Sequence, residues 1–236
     1  MTRLLVHVEG QTEETFVNEV LRDHLLGKGY ERVSARLVGN ARLRARRGGI
    51  RAWSAVREDI LGHLHEDRGC VATTFVDYYA LPRSGGKAWP GRLEAGLLPH
   101  HQKAAKVENA LLDDIVCAMD SDFDPRRFVP FVVMHEFEAL LFSDCQAFAR
   151  GICQERLAPE FQAVRDQFET PEHINDSPMT APSKRVEKLV SGYEKPLLGN
   201  LAVLEIGLEP IRKACPHFNA WLTRLDFAAG LFPQSH

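Results

Sequence analysis

Residues 3–17, RLLVHVEGQTEETFV, place an apolar run beside a helical one with Glu9-Gly10 between them. RLLVHVE reads as a buried strand. QTEETFVNEVLRDHLL then sets Phe16, Val17, Val20, Leu21 and Leu25 at helical spacing, so the segment is one β-α step with a carboxylate at its turn. Further along the chain, ERVSARLVG alternates Val33, Ala35 and Leu37 against polar neighbours, as a half-buried strand does. A helix is expected from about Ile50 to His65, a β-branched strand over CVATTFVDYY, a helix over Lys103 to Met119, and a fourth strand over FVPFVVMHEF. Pro130 in that last run suits a strand start or a sheet edge. Strands alternating with helices predict an α/β fold, a parallel sheet with helices on both faces. Beyond about Cys145 the stretches AFARGICQERLAPEFQAVRDQF, SKRVEKLVSGY and PHFNAWLTRLDFAAGLF read as helices, so 1–145 is expected as an α/β domain and 146–236 as a helical C-terminal extension packed on it. The Gly- and Pro-rich connection at 80–101 reads as a mobile loop standing over a site.

The 236 residues are 44% hydrophobic and 26% charged, a globular composition. His7 and Glu9 interrupt the first apolar run, and no stretch approaches the ~20 apolar residues of a bilayer span, so a cytoplasmic protein without a membrane partner is expected. Five scattered cysteines with no C-x-x-C pair argue against a disulfide framework or a cysteine zinc site, and are expected reduced and buried. The histidine pairs His63/His65 and His100/His101 lack a complete ligand set and read as surface. Net charge of −3 does not mark a nucleic-acid binder, which leaves local charge to decide. Arg44, Arg46 and Arg47 beside Gly48-Gly49 read either as a phosphate-contacting loop or as a solvated charge run; Lys184 and Arg185, in the first turn of a helix, are a second candidate nucleic-acid contact.

In an open α/β sheet, ligands collect beyond the carboxyl ends of the strands. Glu9, Asp77, and Glu136 with Glu138 end three of the expected strands. Carboxylates gathered on one rim repel one another unless a hard cation lies between them, which points to Mg2+ or Mn2+ held by Glu9, Asp77 and Glu136, with Glu138 next in order. If Glu136 and Glu138 lie on a strand their carboxylates share a face, and if a helical turn has begun they diverge. Glu13 and Glu14 are accounted for as ordinary first-turn acids after a Thr12 N-cap, Ser183 reads as an N-cap, His135 as packing or a proton shuttle, and Lys195 as a weaker candidate. The acidic run Asp120 to Asp124 precedes the fourth strand and is set aside as a turn.

VEGQTEETFV, TTFVDYYALP, FVPFVVMHEFEALLFSD, APSKR and CPHFNAWL together resemble an uncharacterised bacterial family of Toprim-like proteins found beside ATPase partners in defence-type gene neighbourhoods. The resemblance implies a Toprim-like, Rossmann-like sheet and Mg2+ bound by a glutamate after the first strand and a D-x-D pair after the third. Glu9 matches the glutamate and Asp77 the first aspartate, but Tyr79 stands where the second belongs. The implied activity is a Mg2+-dependent nuclease hydrolysing phosphodiesters of DNA or RNA, in phage defence with an ATPase partner. The alternative is a weak or inactive regulatory or binding subunit on the same fold.

Overall fold

The computed structural model describes residues 2–38, 50–175 and 180–231. Strand β1 (Arg3–Val8) is followed by a helix in three parts: α1 (Gln11–Phe16), a π turn at Val17–Leu21, and α2 (Arg22–Gly27). Strand β2 (Arg32–Leu37), helix α3 (Trp53–Glu66), strand β3 (Cys70–Asp77), the short helix α4 (Arg92–Ala95) and α5 (His100–Ala118) come next. The sheet runs β2-β1-β3-β4, with β4 (Phe128–Val129) and β5 (Val132–Val133) both pairing with β3, and every pairing is parallel. Because side chains alternate along a strand, Leu4, Val6 and Val8 join Val71 and Phe75 on one face, while Ala72 and Val76 face α3 and α5 on the other. The predicted parallel sheet with helices on both faces is therefore present.

Among the described residues six α-helices follow: α6 (Cys145–Gly151), α7 (Ala158–Arg165), α8 (Pro182–Leu189), α9 (Asn200–Ile206), α10 (Leu208–Ala214) and α11 (Pro216–Ala228). Sequence periodicity missed α9, α10 and the π turn at Lys195–Gly199 that leads into them. Trp221 of α11 stacks on Phe131 at 4.5 Å and packs in the same apolar cluster as Leu4 and Phe75, so residues from both halves of the chain share that core.

The fourth expected strand is broken at Pro130-Phe131 into β4 and β5, because proline cannot donate to the ladder. Side chains of β3 bridge the gap. Thr74 Oγ1 accepts from the Phe131 N–H at 2.9 Å and donates to its carbonyl at 2.9 Å, while Thr73 donates to the Val129 carbonyl and accepts from Trp221 Nε1 at 2.9 Å. Thr74→Val keeps the shape but leaves a buried N–H and a buried C=O unpaired. It is expected to cost about 2–4 kcal/mol in chemical denaturation, since each orphaned group costs roughly 1–3 kcal/mol.

The connection at 80–101 is not loosely held. Trp89 is buried against Trp53, with ring centres 5.0 Å apart, and its Nε1 donates to the Arg51 carbonyl at 3.1 Å. Buried Arg92 lies 3.8 Å over the Tyr78 ring and donates to the Tyr78 carbonyl at 3.0 Å. Gly91 is obligatory there: its φ is +71°, and a Cβ would stand 2.7 Å from the Lys106 carbonyl oxygen. The cysteines are all free, but Cys117 and Cys153 are exposed rather than buried. The first helix is capped by Gly10, not Thr12, and α8 by Ala181 with Pro182 at its first position, not by Ser183.

Candidate active site

The parallel register fixes the rim. Val8 of β1 lies opposite Phe75 of β3, so Glu9 follows β1 close to where Asp77 ends β3. Asp77 in turn lies opposite Val133 of β5. The chain then turns at His135, which takes a left-handed φ of 69°, and enters a 3-10 segment, Phe137–Ser143, that carries Glu138 inward. Glu13, at the third position of α1, reaches back to accept from the Gly10 N–H at 3.0 Å, satisfying a helix-end donor. The π turn brings in Lys195 from 118 residues beyond Asp77.

Lys195 Nζ stands at the centre of these acids, 3.2 Å from Asp77 Oδ2, 3.3 Å from Glu138 Oε2 and 3.3 Å from Glu13 Oε1. Among the described residues no three of these carboxylates offer oxygens all within 4.8 Å of one another, so they are spread around an ammonium rather than converged on a point. Three further buried oxygens, Glu9 Oε2, Asp77 Oδ1 and Glu138 Oε1, have no hydrogen-bond partner. Buried carboxylates without partners favour the protonated form. Burial, reinforced by Glu13 and opposed by Lys195, pushes Glu9 up to about 7. Burial raises Asp77 well above the usual carboxylate range and raises Glu138, with Lys195 pulling both back. Burial works against the Lys195 charge, but Asp77, Glu138, Glu13 and Glu9 together outweigh it and hold the ammonium well above its ordinary value. Four acids against one base, all with oxygen donors, make a donor set of the kind that takes a hard divalent cation.

A family model described as a domain of unknown function, DUF4276, matches residues 8–226. The chain belongs to that family. No curated protein matches this DUF4276 chain. Two solved structures of the C-terminal region of the Xanthomonas campestris pv. campestris OLD protein, phased with iodine and with platinum, are similar to it at 16% identity, with TM-scores of 0.40 and 0.39. The match covers 98% of this chain and 97% and 95% of theirs.

In the DUF4276 chain, then, Glu9, Asp77 and Glu138 share one site, while Glu136 does not join Lys195. The 3-10 turn has already begun, so the two glutamates diverge, and Glu136 accepts from the Ser183 N–H of α8 at 3.0 Å. An anion at a helix N-terminus is a stable arrangement without any ligand. Tyr79, in a 3-10 turn after β3, points away from the acids: its hydroxyl accepts from Asn175 Nδ2, and its ring lies 5.2 Å from that of His135. His135 is buried and its Nε2 is 2.9 Å from His100 Nε2, so one donates to the other; burial lowers His135 to about 3 and His100 to about 4. His100 is thus turned inward, contrary to its surface reading, whereas His101 is exposed.

Lys184 is exposed and paired with Glu187 at 2.7 Å, while the Arg185 guanidinium donates to the Thr180 carbonyl and lies 4.9 Å over the Phe168 ring. Arg44, Arg46 and Arg47 lie outside the described residues. The Asp120–Asp124 run is at the opposite end of the sheet, where Asp124 caps a 3-10 turn leading into β4. Sequence reasoning passed over Glu13 because a first-turn acid is so common. The signal that could have singled it out was its place three residues after Gly10, where a side chain folds back toward the strand end.

Proposed function

We propose that this chain is a divalent-metal-dependent nuclease that hydrolyses nucleic-acid phosphodiesters at the Glu9–Asp77–Glu138 rim. The observation that carries the reading is the set of buried, unpartnered oxygens of those three acids, collected beyond the carboxyl ends of parallel strands. Asp77 and Glu138 would hold Mg2+ or Mn2+, with Glu9 beside them, once Lys195 swings outward. Lys195 has the reach for that, being a long flexible side chain with about a third of its surface in water. Bound metal of this kind polarises a phosphoryl oxygen and makes a coordinated water more acidic. Glu9, poised near 7, can accept a proton from an attacking water at neutral pH. Lys195, displaced to the rim, offers a positive charge to a phosphate. Lys184 and the Arg44, Arg46 and Arg47 stretch are the candidate cations for drawing a polyanion toward an acidic site.

Purified chain with Mg2+ or Mn2+ should cleave at least one of single- and double-stranded DNA and RNA. A chelator should stop the reaction, and Asp77→Asn should slow it by about 100-fold or more. Inactivity on all four substrates would favour a second reading, a regulatory or binding subunit. Two observations support that alternative: Lys195 already serves as counter-ion to three acids, and Tyr79 occupies the place of a second aspartate.

A further inference from the structure

On the other side of β1, His7 and the helix α3 form a second cluster that the phosphodiester reading does not use. His7 Nδ1 lies 3.2 Å from the Thr73 carbonyl oxygen, an arrangement that requires the proton on Nδ1. Its Nε2 therefore carries a lone pair, and that atom is fully buried with no partner. Nε2 points toward Asp59 Oδ2 at 3.8 Å, too far for a hydrogen bond. One helical turn along α3, His63 places its own unpartnered Nε2 4.0 Å from Asp59 Oδ1. The three ligand atoms all lie within 4.8 Å of one another. Tetrahedral ligands at about 2.0–2.1 Å from Zn2+ are about 3.3 Å apart, so small side-chain rotations would close the set.

We propose that His7, Asp59 and His63 bind a transition-metal ion of the Zn2+ class. The surroundings fit such an ion. The His7 N–H on a backbone carbonyl fixes the ring's orientation and tautomer, as the second nitrogen of a ligating histidine commonly does. Arg36 holds the Asp59 carboxylate through two bonds, Nε to Oδ2 at 2.6 Å and one terminal nitrogen to Oδ1 at 2.7 Å. Each oxygen keeps a second lone pair for a metal. His63, though not His7 or Asp59, borders an open groove of about 320 Å³ that is also lined by Arg32, Arg36 and Glu66. The histidine pair at 63 and 65 looked incomplete in sequence because only His63 is used, and its two partners come from one helical turn back and from a strand 56 residues earlier; His65 is exposed. Imidazole nitrogens select Zn2+ or Co2+ over Mg2+.

Chelator-treated protein titrated with Co2+ in millimolar Mg2+, which fills the acidic rim, should develop the visible bands of a bound ion at one equivalent per chain, and Zn2+ should displace it. His63→Ala, at a half-buried position, should weaken binding by about 100-fold, and His63→Gln serves if the alanine variant does not fold. With millimolar Mg2+ present to occupy the acidic rim, Asp77→Asn should keep the same His63-dependent Co2+ bands as the wild type, which separates this site from that rim. Absence of Co2+ binding, binding unchanged in the His63 variants, or binding lost with Asp77→Asn would each overturn the assignment.

Discussion

Replacing Glu9 with glutamine is expected to lower divalent-dependent cleavage by about 10²–10⁴-fold, the range a positioned general base contributes. Glutamine keeps the shape of the side chain and removes both its charge and its ability to accept a proton, so the fold should survive. The pH profile carries the sharper signature. With Glu9 raised to about 7 in the metal-free site and drawn down by a neighbouring cation, wild-type activity should rise as pH increases through a value at or below about 7, where the carboxyl gives up its proton, and that limb should vanish in Glu9→Gln. Stability moves in the opposite sense. A carboxyl raised in the folded state binds its proton more tightly there than in the unfolded chain, so its contribution is complete below about 4.5 and is lost as pH climbs through about 7. Relative to wild type, Glu9→Gln should therefore gain thermal stability at pH 8 compared with pH 5. Equal cleavage by the variant, or an unshifted pH limb, would remove Glu9 from the base role.

Lys195→Met should destabilise the fold by about 3 kcal/mol at pH 8. Removing one member of a buried charge cluster typically costs about 3–5 kcal/mol, and the lower end applies because a third of Lys195 is in water. The loss should shrink on acidification toward pH 5. Asp77, Glu138 and Glu9 are all shifted upward in the folded state, so protons taken up there replace the missing ammonium. Millimolar Mg2+ or Mn2+ should restore stability at pH 8 as well, since a divalent ion can fill the place left by Nζ. Denaturation curves at both pH values, with and without the ion, test each step. Stability equal to wild type at pH 8 would show that the acids do not depend on Lys195. Rescue by protons but not by either cation would favour the regulatory reading over the nuclease.

The sheet and its rim were legible because both follow from local pattern. Apolar β-branched runs alternating with helices imply parallel strands, and parallel strands bring Glu9 and Asp77 to one end. The choice between Glu136 and Glu138 was not legible, since it depends on where the strand gives way to a 3-10 turn, and that is set by the left-handed turn at His135. Lys195 was legible only as a weaker candidate, and its place among the acids was hidden for a different reason. It lies in a π turn of KPLLG with no periodic signature, and its partners come from α1, β3 and the 3-10 segment. The inward turn of His63 and His100 was equally hidden, because a paired-histidine spelling gives no information on which ring faces a neighbouring element.

Trp221 Nε1 on Thr73 and the Tyr30 hydroxyl on the Leu225 carbonyl join α11 to elements 148 and 195 residues earlier. During synthesis, the first two strands and the helix between them leave the ribosome long before the last of the surface that will cover them exists. Contacts of such long sequence separation slow folding, because chain entropy is lost before the contacts can reward it. The face of the sheet carrying Leu4, Val6 and Val8 receives Phe16, Leu21 and Leu25 from the neighbouring helix early, but its cover is completed only when α11 emerges. Apolar surface whose cover is completed this late is the kind that chaperones shield during synthesis.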